Sequence, residues 1–503
     1  MTETVVIAGA GTTGLMLAYE LSLAGVPTIV ADPLPDPNPA AFGVAINPGY
    51  SEILDQRGLL DPIRDTAFVL PGAHYSLLWL DLDRQREPHG DGYAVSQTKL
   101  EEMLQARAVA LGADLRRGWR VAGFTQDADG VSVELVGESG REEVRAAYLV
   151  GCDGSRSTVR SLLGIDFPGT QDPRCLALIG DLEVDMNELT PEHFGAYVPD
   201  GGGSIYTGVP VGPGILRILT MQWDKDAPGL DEPVTEDEFQ GAIEQISGSP
   251  LKDTKPLWLS RFSDATRLAD SFRSGRVFLA GDAAHVFFQT NGLGLSTAIQ
   301  DVANLGWKLA AVLHGWAPDG LLDTYEAERV PVAEQVCRDV RAQEELVRGP
   351  QLGPLREAVT ELLQFDDVQQ YLIALVTGVG VRYPLGKDPD GGHPLLGRRL
   401  PQVTLATPGG ERTAASLLHR GLGVLLDLSG GAADLAAAAE WAGRIEVVSA
   451  EPHPQLDASA VLLRPDGHAA WVRAAQPDAE GLHSALSTWF GEPTTPRDGG
   501  EQA

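Results

Sequence analysis

Three short glycine- and aspartate-bearing stretches hold the residue types that could do chemistry in this chain. Gly9-Ala10-Gly11-Thr12-Thr13-Gly14 follows an apolar run, and Asp32 ends the next such run, about 20 residues on, the distance at which an acid meets ribose hydroxyls. Gly9 permits a tight turn, Gly11 lets backbone approach a pyrophosphate, and Gly14 allows close helix–strand packing. Thr13 sits in the same turn, and the N-terminus of the following helix favours negative charge. "YLVGCDGSRSTVR" places Asp153 and Gly154 at a second strand end, with Arg156 and Arg160 beyond, and "GRVFLAGDAAH" places Gly281 and Asp282 at a third. The first stretch alone predicts dinucleotide binding. A nicotinamide enzyme needs only that one, so the other two point to a different dinucleotide. No Ser-His-Asp arrangement or metal-ligand spacing accompanies them, and no metal is expected.

The surrounding pattern supplies elements to position these residues. "TVVIAGAG" and "VPTIVAD" are buried β runs flanking the helical spacing of "LMLAYELSLAG", a βαβ unit. An amphipathic helix is predicted over Thr98 to Gly112, then alternating strands turning at "DADG", then the buried strand "AAYLVGCDG". From about Phe167 to Asp270 strand-like segments rich in Gly and Pro turns predict an inserted sheet domain. The strand "GRVFLAGDAAH" and a long helix from Thr297 to Leu313 return to the α/β style, so the first domain is expected to be discontinuous.

The chain has 503 residues, 43% apolar, more than one hydrophobic core usually supports. A net charge of −32 repels phosphate backbones and anionic lipid, so no nucleic-acid or membrane partner is expected. Cys152, Cys175 and Cys337 are odd in number, far apart and without CxxC spacing, which suggests reduced core thiols. The N-terminal run enters a strand with no basic leader, so a cytoplasmic protein is expected.

With the fingerprint, Asp153-Gly154, Gly281-Asp282, "RFSDATRLADSFRSGRVFLAGDAAH" and "DVANLGWKLA" together, the chain resembles the group A flavoprotein monooxygenases, FAD-dependent hydroxylases of aromatic and polyketide rings. The resemblance implies an α/β fold: a Rossmann-type, glutathione reductase-like FAD-binding domain in two parts (1–166 and 271–385), an inserted mixed β-sheet substrate domain (167–270), a thioredoxin-like C-terminal domain (386–491), and a disordered tail (492–503). Without CxxC that C-terminal domain is expected to pack or to support a homodimer. FAD would be held by Gly9, Gly11, Thr13, Gly14 and Asp32. Gln97 would act from a helix N-terminus, Val121 beside the adenine, and Asp153 and Arg156 between FAD and a passing NAD(P)H. Gly281 and Asp282 would hold the ribityl chain, and Gly292, Gly294 and Leu295 would meet the flavin's pyrimidine edge. His285 follows the family's structural "GDAAH" element, and Arg160 is open between function and ordinary ion pairing.

Departures from the family pattern cluster where a flavin would meet reductant and substrate. After the GD motif the family carries a Pro-Pro pair, whereas this chain has His285-Val286-Phe287-Phe288-Gln289-Thr290-Asn291. An Arg usual in the family looks replaced by Phe42, and Leu268 replaces a frequent polar residue. Two readings stay open. In one, NAD(P)H reduces FAD and O₂ supplies an oxygen to an aromatic or polyketide substrate. In the other, FAD is a structural wall, and the protein is a non-redox cyclase forming a decalin by [4+2] cycloaddition through substrate orientation alone. Candidate pocket residues are Tyr197, Tyr206, Arg217, Met221, Trp223, Phe287, Phe288, Gln289 and Thr290.

Overall fold

The computed structural model describes the chain except residues 1–2, 39–42, 44, 171–173, 200–201, 224–228, 231, 252, 350–351, 386–391, 430–437, 475–480 and 494–503. Phe42 and most of the expected tail lie outside the described residues.

A six-stranded sheet organises the N-terminal half, in the order Arg273–Ser274, Val277–Leu279, Tyr148–Gly151, Val5–Ala8, Thr28–Asp32, Asp114–Arg117. All its pairings are parallel except the edge hairpin that ends it at Arg273–Ser274. Val5–Ala8 is buried throughout, as a strand covered on both faces must be. The chain leaves this strand on one side to Thr28–Asp32 and returns on the other at Tyr148–Gly151. The reversal makes a crevice at the strands' carboxyl ends, where ligands bind in open α/β sheets. Helices Thr12–Leu23 and Leu293–Leu313 pack together over one face. The latter begins four residues before the expected start, so Leu293 to Leu295 fall in its first turn. A three-stranded antiparallel sheet, Trp119–Gln126, Val131–Gly137 and Gly140–Ala146, lies alongside. Its "DADG" turn is closed by Asp127, which accepts hydrogen bonds from the Asp129 and Gly130 amides.

The inserted sheet runs Gly195–Tyr197, Ser204–Gly212, Ile215–Trp223, Cys175–Glu183, Lys255–Phe262. The expectation of a mixed sheet is corrected: every described pairing in it is antiparallel. The short Gly-rich returns between successive strands, such as Gly212 to Ile215, permit no parallel crossover. Helix Glu236–Ser247 covers one face through Phe239 and Ile243, leaving the other face toward the first domain.

The C-terminal segment holds a four-stranded sheet ordered Ile445–Ser449, Gly423–Asp427, Ala458–Leu463, Ala469–Ala474, with one parallel and two antiparallel pairings. It is fastened to the rest by buried ions. Arg464, fully buried, pairs with Glu328 at 2.7 Å and with Asp466, and Lys308 joins Glu328 at 2.9 Å. The three cysteines are free and buried. No described helix is long and apolar enough to cross a membrane.

Candidate active site

A cavity of about 1000 Å³ runs from the fingerprint turn, between the two domains, to the inserted sheet. That is the upper end of the range for small-molecule sites, with room for an extended ligand and a second molecule.

At one end Gly9 has φ +101, and a Cβ on it would stand 2.3 Å from the Cys152 carbonyl oxygen; a Cβ on Gly14 would stand 2.0 Å from that of Gly9. Both glycines are required by packing. Gly11 differs, because a Cβ there meets only Glu101 Oε1 at 3.8 Å: protein leaves its approach open. Asp32 accepts from the Ala10 amide (2.7 Å) and the Leu34 amide (2.9 Å), so its carboxylate fixes the turn while keeping lone pairs for a ligand hydroxyl. Thr13, Gln97, Val121 and Gly154 line the same end, beside Arg117 and Arg120.

Sequence reading missed Glu101. Its Oε1 accepts from the Thr12 amide (3.2 Å), Thr12 Oγ1 (3.0 Å) and Gln97 Nε2 (2.8 Å), while Gln97 Oε1 takes the Gly43 amide at 2.8 Å. One carboxylate thereby joins the fingerprint helix to the helix Gln97–Ala110. Burial raises its pKa, opposed by those hydrogen bonds.

Asp153 caps the helix Thr158–Leu163: it takes the Ser157 hydroxyl (2.5 Å) and the Thr158 and Val159 amides (2.7 and 3.1 Å). It also lines the cavity, whereas Arg156 is exposed and is not part of the wall. Arg160 is a tie: it donates to the Ala283 and Ser155 carbonyls, both at 2.8 Å, and its guanidinium lies 3.8 Å from the Phe167 ring centre. At the third strand end Gly281 has φ +61, with Thr13 Oγ1 2.7 Å from where its Cβ would be. Asp282 keeps exposed surface at the cavity wall, and the protein around it raises its pKa by desolvation. Among the described residues no protein donor bonds to it, which leaves its lone pairs open to the cavity. His285 is fully buried behind it, 2.7 Å from Asp301, which Arg329 also holds at 2.8 Å. Burial alone would raise the Asp301 pKa, but its contacts with His285 and Arg329 bring it below the ordinary value. His285 does not line the cavity.

The loop that lacks the prolines is held by side chains instead. Phe287 stacks on His285 with ring centres 4.7 Å apart, and Phe288 packs against Trp223 at 6.0 Å. Thr290 donates to Gln343 Oε1 (3.2 Å), and Asn291, at φ +49, donates to the His74 carbonyl (2.9 Å). Phe287, Phe288, Gln289 and Thr290 all border the cavity. Gly292 caps the helix Leu293–Leu313 at φ +66; the Leu293 amide donates to the Thr290 carbonyl at 3.0 Å, and Gly294 and Leu295 of the first turn border the cavity.

On the inserted sheet, side-chain alternation decides which candidates reach the cavity. Arg217, Leu219 and Met221 face it, with Ile179 and Ile205 from neighbouring strands. Tyr206 does not. It pairs with Thr220 on the opposite face, where it is fully buried near Phe239 and donates to the His193 carbonyl at 3.2 Å. Tyr197 stacks on it at 5.2 Å and is likewise absent from the wall. Trp223 is also corrected: it sits one step behind Phe288, donating to Glu344 at 3.2 Å. Arg217 is neutralised by Asp181 (2.6 and 2.8 Å) and donates to the Gly43 carbonyl at 3.1 Å. The sheet-side half of the cavity is therefore apolar and without net charge.

Residues 2–340 match the family described as FAD binding domain, and residues 393–493 match that described as aromatic-ring hydroxylase, C-terminal. The chain belongs to the FAD-binding domain family. It is an enzyme with the fold of the group A flavoprotein monooxygenases. A 12-dehydrotetracycline 5-monooxygenase/anhydrotetracycline 6-monooxygenase of Streptomyces rimosus subsp. rimosus is 42% identical over 97% of this chain and 99% of its own. A dialkyldecalin synthase of Streptomyces rugosporus is 41% identical over 98% and 99%. The solved structure of OxyS anhydrotetracycline hydroxylase from Streptomyces rimosus superposes with a TM-score of 0.88 at 42% identity, covering 98% of this chain and 100% of that one. FAD fits the residues present, because the open approach at Gly11 and the undonated Asp282 carboxylate are what a diphosphate and a polyhydroxyl chain require.

Proposed function

We propose that this flavoenzyme hydroxylates an aromatic polyketide, with NADPH or NADH as reductant and O₂ as co-substrate. One observation carries the reading: a single cavity joins a dinucleotide cradle to a largely apolar wall of the inserted sheet without net charge, so a large neutral ring system can be held against the cofactor. The bound flavin supplies electron transfer and oxygen activation.

The protein's own residues bind, orient and exclude water. Gly9, Gly11, Thr13 and Gly14 seat the diphosphate at the helix N-terminus, Asp32 takes the ribose, Gln97 and Val121 flank the adenosine, and Asp282 accepts from the ribityl hydroxyls. Gly292, Gly294 and Leu295 offer amides and a helix dipole to negative charge at the pyrimidine edge. Met221, Leu219 and Phe288 keep water from the substrate. Asp153, committed to its helix cap, acts by shaping the wall, and Arg156, exposed just beyond it, meets a reductant arriving from outside. The mixed sheet at the C-terminus, one parallel and two antiparallel pairs, supports a thioredoxin-like segment that packs and does no redox chemistry.

A cyclase remains the second reading. The loop Phe287–Asn291 without prolines favours it, as does the similarity to a dialkyldecalin synthase. Anaerobic mixing of the yellow holoprotein with NADPH or NADH, with and without anhydrotetracycline, tests both. The expected result is flavin bleaching that the tetracycle accelerates, followed on admitting air by a product one oxygen heavier. Flavin that stays oxidised while a polyene substrate is converted without change of mass would overturn the oxygenase.

A further inference from the structure

The hairpin Ala73–Tyr75 and Leu78–Leu80 pairs His74 with Trp79 and Tyr75 with Leu78, leaving Ser76 and Leu77 as its two turn residues. Both have left-handed backbone, φ +55 and +60. Two-residue hairpin turns of this hand ordinarily use Asn and Gly, and such conformations persist in other residues only where the surroundings over-determine them. Here they are over-determined. Gln343 accepts from the Ser76 amide at 3.3 Å, and its carbonyl takes the Ser76 hydroxyl; Arg356 donates to the Ser76 carbonyl at 2.8 Å. Asn291, from the loop before the helix Leu293–Leu313, donates to the His74 carbonyl at 2.9 Å.

His74 is the titratable residue that this hairpin presents to the cavity, among Ala73, Ser76, Leu77 and Trp79. Its Nδ1 accepts the Leu77 amide at 3.2 Å, and its ring stands edge-on to Trp79 at 5.5 Å. Burial pulls its pKa down to about 4, so the ring is neutral at physiological pH. A neutral imidazole that accepts at Nδ1 must carry its proton on Nε2. That Nε2–H has no protein acceptor among the described residues, while the residue lines the cavity.

We propose that His74 is a substrate-positioning residue, its Nε2–H donating a hydrogen bond to a carbonyl or phenolic oxygen of the bound ring system. The inference rests on the sheet-side half of the cavity being the substrate site. It requires a substrate bearing an oxygen acceptor at the edge that meets the hairpin, the remainder lying on apolar wall. The Asn291 bond places this donor in register with the start of the flavin-facing helix, so the hydrogen bond fixes which ring position is presented.

The test is equilibrium binding of a matched pair, 1-tetralone and tetralin, to the FAD-loaded protein and to H74F and H74Q, by isothermal titration. The wild type should prefer the ketone, and H74F should lose roughly three- to tenfold of that preference, with H74Q between them and FAD content unchanged. An undiminished ketone preference in FAD-loaded H74F overturns the proposal. A role in packing alone would weaken both probes together and leave their ratio unmoved, which also overturns it. Should neither variant fold, the carbonyl stretch of ¹³C-labelled 1-tetralone on the wild type decides: a downshifted band supports the hydrogen bond, and a band at its hydrocarbon-solvent position overturns it. Binding needs no reduction, so flavin that resists NADPH and NADH would sink the oxygenase reading without touching this result.

Discussion

Gly11→Ala is expected to separate dinucleotide binding from folding. Gly11 has extended backbone, φ −77 and ψ −178, which alanine adopts freely, and its added methyl would touch only Glu101 Oε1 at 3.8 Å. The cost to the apoprotein is that of alanine for glycine at a helix N-cap, about 1 kcal/mol or less. Neighbouring glycines set the contrast, because methyls 2.3 Å from the Cys152 oxygen at Gly9 and 2.0 Å from the Gly9 oxygen at Gly14 force backbone apart. The Gly11 methyl instead occupies the approach of the diphosphate. Charge-assisted hydrogen bonds lost there are worth about 1.5–3 kcal/mol each, so FAD should bind about 10- to 150-fold more weakly for one lost bond. Titrating apoprotein with FAD, followed by quenching of flavin fluorescence, gives the affinity, and thermal melting of the same apoprotein gives the stability. Wild-type affinity in Gly11→Ala would refute the cradle, and an apoprotein melting far below wild type would refute the open approach.

Arg464→Met should cost about 3–5 kcal/mol, since it strips the principal cation from the buried carboxylates of Glu328 and Asp466; an unchanged urea midpoint would contradict the tie. Glu344→Gln should gain stability relative to wild type as pH rises from about 5 to 8. Burial raises the Glu344 carboxyl to about 7 from an ordinary 4.5, with the Trp223 hydrogen bond opposing and Asp264 adding to the rise. A raised folded pKa contributes stability that is full below the unfolded value and is lost as pH rises through the folded one. Glutamine does not titrate, so a wild-type-to-variant difference that is flat across that range in urea unfolding would overturn the assignment.

What was legible in the sequence was local. The fingerprint, Asp32 and the two further glycine–aspartate turns each combine strand, turn and chemistry within a few consecutive residues, and the sheet brings all of them to one crevice. Glu101 escaped because its partner Thr12 lies 89 residues away, and no local pattern marks a carboxylate that reaches so far. Tyr206 was misplaced for another reason, and Trp223, on the cavity-facing parity, misses the wall because Phe288 stands in front of it at the strand end. Both faces of the inserted sheet are lined with large side chains, one under the helix Glu236–Ser247 and one over the cavity, so hydrophobicity does not reveal that Tyr206 has the parity that faces away from the site. A register difference of one residue exchanges the two. The hairpin carrying His74 was unreadable because Ser76 and Leu77 are unusual residues for the left-handed backbone it needs, and their hold includes the distant partners Gln343 and Arg356 as well as the local acceptor His74 Nδ1.

The missing prolines bear on function less directly than the sequence suggests. Proline stiffens a loop by fixing φ, and its loss predicts a looser segment at the flavin. This loop is stiffened by other means: the Phe287 ring lies on His285, Thr290 and Asn291 bond to Gln343, and Asn291 spans to the hairpin. Asn291 takes a left-handed backbone, which asparagine tolerates better than most residues. Rigidity has therefore been transferred from backbone chemistry to a side-chain network that includes the hairpin of the proposed substrate donor. In that arrangement the loop's geometry depends on His74's neighbours, and exchange of Asn291 would disturb substrate register and helix start together. The side-chain network thus accounts for an ordered loop without prolines, and the distinction between an oxygenase and a cyclase rests on whether the flavin accepts electrons.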